Sequence, residues 1–248
     1  RRRELAFYGG SFTAVEPALR RALLEAAQPW LRAGVIGAIR VSTRPDAVDA
    51  AVLAELRAFG VTTVELGAQS MDDAVLRASG RGHTAEDTRR AAALVKAAGL
   101  QLVLQMMTGL PGAAEESDME TARALAALRP DGARIYPTVV LRDTALYALW
   151  RRGAYRAQSV QEAAALCARL VPVLEGAGVA VLRVGLNPGR ALEAAVAAGP
   201  YHPAFGELVR ARMWRARAAA LLEAMPTRGR AATLYVHPSR VSQMTGQK

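Results

Sequence analysis

Apolar positions along the chain switch repeatedly between two periods. ELAFYG is followed by PALRRALLEAAQPWL, GAIRVSTR by DAVDAAVLAELRAFG, and TTVELGAQ by a helical pair divided at GRGHT. LQLVLQMMTG then leads into ESDMETARALAAL, and GARIYPTVV into TALYALWRRG. The short runs alternate every second residue, as strands do, and the longer ones repeat every three or four, as helices do. Regular strand–helix alternation predicts an α/β fold with a parallel sheet and crossover helices.

In the first helix Leu19, Leu23, Ala26 and Trp30 share a face, with Arg20, Arg21 and Glu25 turned away, and Pro29 is expected to kink or end it. Thr84 followed by Asp87 has the form of a capping box. It opens a helix whose Ala91, Leu94, Val95 and Ala98 share a face until Gly99 stops it. From about residue 157 the pattern changes to a long amphipathic helix, a strand around VAVLRVGLN, an alanine-rich stretch, the segment GPYHPAFGELV, another helix and AATLYVHP. Residues 1–156 are read as a barrel-like core and 157–248 as a smaller α/β extension packed on it.

Strand phase says what faces the centre. Leu100, Leu102, Leu104 and Met106 form one phase of the fourth strand run, leaving Gln101, Val103, Gln105 and Met107 to point inward. By the same alternation Glu65, Gly67 and Gln69 point inward from TTVELGAQ, Arg40, Ser42 and Arg44 from GAIRVSTR, and Arg134 and Tyr136 from GARIYP. A closed eight-stranded barrel fills its centre with Val, Ile and Leu, and burying Arg, Glu, Gln and Ser there without partners is costly. A partial (β/α) TIM-type barrel, open around a polar ligand, removes the contradiction. For Arg40 and Glu65 alone, simple pairing between neighbouring strands also suffices.

Composition narrows the class. With 248 residues, 52% of them hydrophobic, the chain can bury a large core. No apolar run reaches the roughly 18 residues of a membrane span, and the start does not resemble a signal peptide, so a cytoplasmic setting is expected. Cys167 is the single cysteine, which excludes an internal disulfide framework and suits a small core residue on a helix. The net charge of +10 invites a polyanion such as tRNA. Lys96 and Lys248 are the only lysines, and arginines scattered in pairs such as Arg89-Arg90 and Arg151-Arg152 equally suit solvated helix faces.

Candidate chemistry sits where strands end: GGSF at 9–12, STRPD at 42–46, GAQS at 67–70, TGLPG at 108–112 and YPT at 136–138. Carboxyl ends of parallel strands are where α/β folds place their sites. Each turn alone is ordinary punctuation. As an ordered series they resemble the radical S-adenosylmethionine (SAM) superfamily. ELAFYGGSF resembles its second strand, and VELGAQSMDDAVLRASGRGHT the fourth-strand segment of oxygen-independent coproporphyrinogen oxidase and the Elongator catalytic subunit. LQMMTGLPG with RIYPTVVLRDTALYALWRRGAY is closer to the Elongator-like branch. The resemblance runs from Glu4 to Tyr155, and more weakly through VLRVGLNPG and GPYHPAFGELV.

Carried over by position, the resemblance implies that Gly9, Gly10 and Ser11 meet the SAM amino group and that Ser42 and Arg44 reach SAM from the next strand. It places Gln69 at a strand tip, Arg81 on the SAM carboxylate, and Thr108, Gly109, Leu110, Pro111 and Gly112 beside the adenine. It implies no catalytic side chain. Family members hold a 4Fe-4S cluster through CxxxCxxC after the first strand. That motif does not occur here, Cys167 is alone, and His83, His202 and His237 lack metal-ligand spacing. The resemblance therefore implies a first strand and cluster cysteines upstream of Arg1, and a chain that by itself is inactive and binds SAM poorly; the end at TGQK is open to the same view. The implied reaction is cleavage of SAM to a 5′-deoxyadenosyl radical, with a tRNA base as the leading substrate. Two rivals are kept: a non-catalytic barrel that binds tRNA or a partner, and a TIM-barrel lyase or hydrolase using Glu65 and His83 as acid and base.

Overall fold

Six of the strands form one sheet, in the order β1-β2-β3-β4-β5-β7, within the computed structural model, which describes residues 3–224, 233 and 235–245. The strands are β1 Glu4–Phe7, β2 Ala38–Thr43, β3 Val61–Gln69, β4 Gln101–Thr108, β5 Gly132–Pro137, β6 Val140–Leu141, β7 Ala180–Val184 and β8 Val196–Ala198. The helices are α1 Pro17–Arg32, α2 Ala50–Ala58, α3 Asp73–Ala78, α4 Ala85–Ala97, α5 Glu115–Ala127, α6 Ala145–Arg151, α7 Val160–Gly176, α8 Arg190–Ala195, α9 Phe205–Glu223 and α10 Val241–Thr245. The AATLYVHP segment at 231–238 lies in part outside the described residues, and its described residues 233 and 235–237 are not the expected strand, with a 3-10 turn starting at Pro238.

The chain divides into two compact units, Arg1–Tyr136 with Val173–Leu182, and Pro137–Pro172 with Arg183–Lys248. In the first, β1 to β4 pair parallel, with Phe7 against Val41, Thr43 against Leu66, and Leu66 against Leu104. Period two is visible in β2, where Ile39, Val41 and Thr43 are buried and Arg40 and Ser42 half-buried. β3, in the middle of the sheet, is buried on both faces from Thr63 onward, as parallel strands covered on both sides are. Leu53 and Leu56 of α2, Ala91, Ala92 and Val95 of α4, and Met119, Ala122 and Leu125 of α5 are buried among the core residues. The sheet is a curled half-barrel. Its curl is visible in Tyr8, just past β1, whose hydroxyl accepts from Arg134 Nη2 of β5 at 3.2 Å.

Helix α1 departs from the expected pattern twice. Its buried residues are Arg20, Leu24 and Ala27, while Leu19 and Trp30 are more than half exposed. The cause is electrostatic. Arg20 donates to Glu55 Oε2 of α2 from Nε (2.9 Å) and Nη2 (2.6 Å), and from Nη1 to the Thr13 carbonyl at 3.1 Å. That pairing rotates a cation inward and turns the leucine and tryptophan out. The helix also continues through Pro29 to Arg32, because a proline in the last turn removes only one backbone bond. On α4 the capping box is present: Thr84 Oγ1 accepts from the Asp87 amide at 3.2 Å, and Asp87 Oδ2 from the Thr84 amide at 2.9 Å.

In the second unit β6 and β8 pair antiparallel, Val140 against Ala198 and Leu141 against Val196. Gly185, at φ +87°, makes room for the buried Phe205 ring at the start of α9, where an added Cβ would lie 2.8 Å from the Phe205 Cβ. Trp214 of α9 donates from Nε1 to Gln243 Oε1 of α10 at 3.0 Å. Cys167 is buried on α7.

Candidate functional site

Because β1 to β4 are parallel, their carboxyl ends share one rim of the first unit. That rim collects Gly9, Gly10 and Ser11 after β1, Ser42 and Arg44 at the end of β2, Gln69 at the end of β3, and Thr108 with Gly109–Gly112 at and after β4. Gly9 has φ +105°, open to glycine, and no atom lies within 4 Å of where a Cβ on Gly9 or Gly10 would stand. The glycine pair is therefore a shallow open face.

At the end of β3 the ladder slips, pairing Gly67 with Gln105 but Gln69 with Met106, so that Ala68 is the extra residue of a bulge. Gln69 takes φ +64° and is buried, and its Oε1 accepts from Gln105 Nε2 at 2.7 Å. A Cβ on Gly67 would lie 2.6 Å from Gln69 Nε2 and 3.7 Å from Arg81 Nη2, which puts the Gln69 amide and the Arg81 guanidinium on one small patch. Arg81 is half-buried, its guanidinium has no hydrogen bond or ion pair with a described residue, and burial followed by the Arg44 charge pushes its pKa down against the opposing Asp46 carboxylate. Arg44 differs: Asp46 holds it through Nε–Oδ1 (2.9 Å) and Nη2–Oδ2 (2.7 Å), and the Arg44 guanidinium in turn keeps the Asp46 carboxyl below its ordinary range. Arg81 is thus a rim guanidinium with no ion pair among the described residues, since the Asp46 carboxylate that acts on it electrostatically is already held by Arg44.

At β4 the buried Thr108 hydroxyl has no partner, and Gly109 turns at φ +67°. The Gly109 amide donates to Asp118 Oδ2 at 3.0 Å, from the first turn of α5. Burial raises the Asp118 carboxyl to about 6. Asp118 was not among the residues singled out from sequence; an acid in a first helical turn reads only as complement to the helix dipole.

Below the rim, the inward polar set is built around Glu65, which is 2% exposed. Its Oε2 accepts from Arg134 Nε at 3.0 Å and from the Tyr8 hydroxyl at 3.2 Å, with Arg40 Nη1 at 3.7 Å. Arg40 also donates to Glu4 from Nε (3.1 Å) and Nη2 (3.3 Å). The expected Arg40–Glu65 pair is thus one edge of a larger network. His83 is buried and held by the Ala68 carbonyl at 3.0 Å. Glu65 and His83 share no partner and no hydrogen bond, so the acid–base pair of a lyase or hydrolase is not assembled. Among the described residues no group of three or more His, Cys, Asp or Glu could hold a metal ion. The described residues therefore do not fit an iron–sulfur cluster. None of the described helices is long and apolar enough to cross a membrane.

The chain resembles known proteins in sequence and in fold. It is 37% identical over 139 residues to Elongator complex protein 3 of Mus musculus, covering 55% of this chain and 25% of that protein. It is 36% identical over 129 residues to the tRNA uridine(34) acetyltransferase of Methanocaldococcus jannaschii, covering 51% and 24%. The chain thus spans about a quarter of the length of the curated relatives it matches. Among solved structures, Elp3 of Methanocaldococcus infernus superposes with a TM-score of 0.75 at 27% identity, over 86% of this chain and 54% of that one. Coproporphyrinogen III oxidase of Escherichia coli shares the fold, with a TM-score of 0.58 at 21% identity over 71% of this chain and 40% of that one. The Radical SAM C-terminal domain matches residues 130–215. With the Radical SAM superfamily matched over residues 1–125, on the strands that carry the rim, the chain belongs to that superfamily.

Proposed function

We propose that this chain is a SAM-binding radical SAM barrel that serves the modification of a tRNA base in the cytoplasm. Arg81 carries the proposal: a half-buried guanidinium in no ion pair with a described residue, beside the Gln69 amide, suits a carboxylate that comes with a ligand. Gly9, Gly10 and Ser11, with their open face, receive the methionyl ammonium on backbone and hydroxyl oxygens. Ser42 and Arg44 border the ligand, and the turn from Thr108 through Gly109, Leu110 and Pro111 to the exposed Gly112 reads the adenine edge.

The superfamily's cofactors, SAM with a 4Fe-4S cluster, supply hydrogen abstraction through SAM cleavage. The described residues hold no cluster, so their part is to bind and orient SAM. The Tyr8–Glu65–Arg134 network, by bringing side chains of β1, β3 and β5 together, keeps a fixed polar surface beneath it. Support for a tRNA base comes from the tRNA uridine(34) acetyltransferase among the relatives and from the basic charge of the chain.

Saturation-transfer NMR of the chain with millimolar SAM tests the binding step. Signals are expected from the adenosyl and methionyl protons, and Arg81→Ala should weaken binding about tenfold or more, the worth of one charged hydrogen bond. A wild-type chain without SAM contact, binding tRNA in the same buffer, would favour the non-catalytic rival.

A further inference from the structure

The bulge that turns Gln69 into the rim is held from outside its own strand. Ala68, the extra residue, places its carbonyl where two donors meet: the Ser70 amide at 2.8 Å and His83 Nε2 at 3.0 Å. A carbonyl can only accept, so the proton of the imidazole sits on Nε2. Nδ1 is buried without a partner, and burial lowers the His83 pKa, both in keeping with a neutral ring in this one tautomer. The same loop that delivers His83 to the bulge carries Arg81 two residues earlier, with the Arg81 amide tied to the Leu76 carbonyl at 2.9 Å. One short segment therefore brings the unpartnered guanidinium to Gln69 and anchors the backbone that aims Gln69.

We propose that His83 is a positioning residue: by donating from Nε2 to the Ala68 carbonyl it holds the β3 bulge in the left-handed turn that presents Gln69 beside Arg81. The role rests on the SAM assignment of the rim only for its consequence, ligand affinity; the mechanical claim stands on the bulge alone. Gln69 is a non-glycine residue at φ +64°, a conformation that persists only where neighbours hold it. His83 does so at the Ala68 carbonyl, and Gln105 at the Gln69 side chain.

The experiment compares His83→Gln, whose amide nitrogen reaches the position of Nε2, with His83→Asn, which is too short, and His83→Phe, which fills the space without a donor. Amide hydrogen exchange at Ser70 is read relative to Leu104 in the core of β4, so that a general loss of stability cancels. Losing one buried hydrogen bond should raise the Ser70-to-Leu104 ratio by about tenfold in the Asn and Phe variants, and the Gln variant should stay within about threefold of wild type. SAM affinity, titrated in parallel, should fall about tenfold in the same two variants and recover in the Gln variant. Ser70 and Leu104 changing in step in every variant, or a Gln variant no better than Phe, overturns the role. A wild-type chain that does not bind SAM but shows the Ser70 pattern removes the SAM reading and leaves the positioning role intact.

Discussion

Gly67 and Arg81 show how the rim sets its own requirements residue by residue. The space that a Cβ on Gly67 would need is taken by the Gln69 amide, 2.6 Å away. Gly67→Ala is expected to push that amide aside and break the 2.7 Å bond from Gln105, costing about 1 kcal/mol in urea unfolding. Arg81 makes the opposite case. Its guanidinium is partly desolvated and in no ion pair with a described residue, so Arg81→Met, of similar length, should leave unfolding stability unchanged or higher while SAM affinity falls. A drop in stability would mean that Arg81 serves the fold. Alternation placed Gln69 on the inward face correctly, but only the folded chain shows that it lies at positive φ on a bulge, because a bulge depends on the neighbouring strand.

At the scale of elements, two contacts set how helices meet the sheet. α1 faces α2 through Arg20 and Glu55, whose side chains are 9% and 16% exposed. Arg20→Ala removes the Thr13 carbonyl's donor and leaves the Glu55 carboxylate with Arg21 alone, at 3.4 Å, and should cost about 2 kcal/mol by urea titration, with Arg20→Ala combined with Glu55→Ala recovering part of it. Periodicity turned Arg20 outward, since hydropathy cannot register a partner thirty-five positions away. The other contact joins the turn after β4 to α5 through Asp118. Burial raises this carboxyl from 3.8 to about 6. A raised folded value means a contribution fully present below pH about 4 and lost as the pH rises through 6. The non-titrating Asp118→Asn should therefore gain on wild type between pH 4.5 and 7.5, by on the order of 2–3 kcal/mol at most. A stability difference flat with pH would show that the carboxyl titrates normally.

At the scale of the whole molecule, the excess of arginine over acid predicts salt-sensitive contact with RNA. If about four phosphates are neutralised, tRNA affinity by filter binding should fall on the order of 100-fold between 50 and 200 mM salt; a flat profile would count against tRNA. The α/β class, the parallel order of the early strands, the inward polar phase and the rim turns were all legible from the amino acids, since they follow from local periodicity and from glycine-marked strand ends. β7 was legible as a strand, yet its place in the main sheet beside β5 was not. The face of α1, the network joining Tyr8, Glu65 and Arg134, the hold of Asp118 on Gly109 and that of His83 on Ala68 were decided only by tertiary structure. Each joins groups brought together by the curl of the sheet or the packing of a helix, and a hydrogen bond between them exists only once burial has removed water as the competing partner.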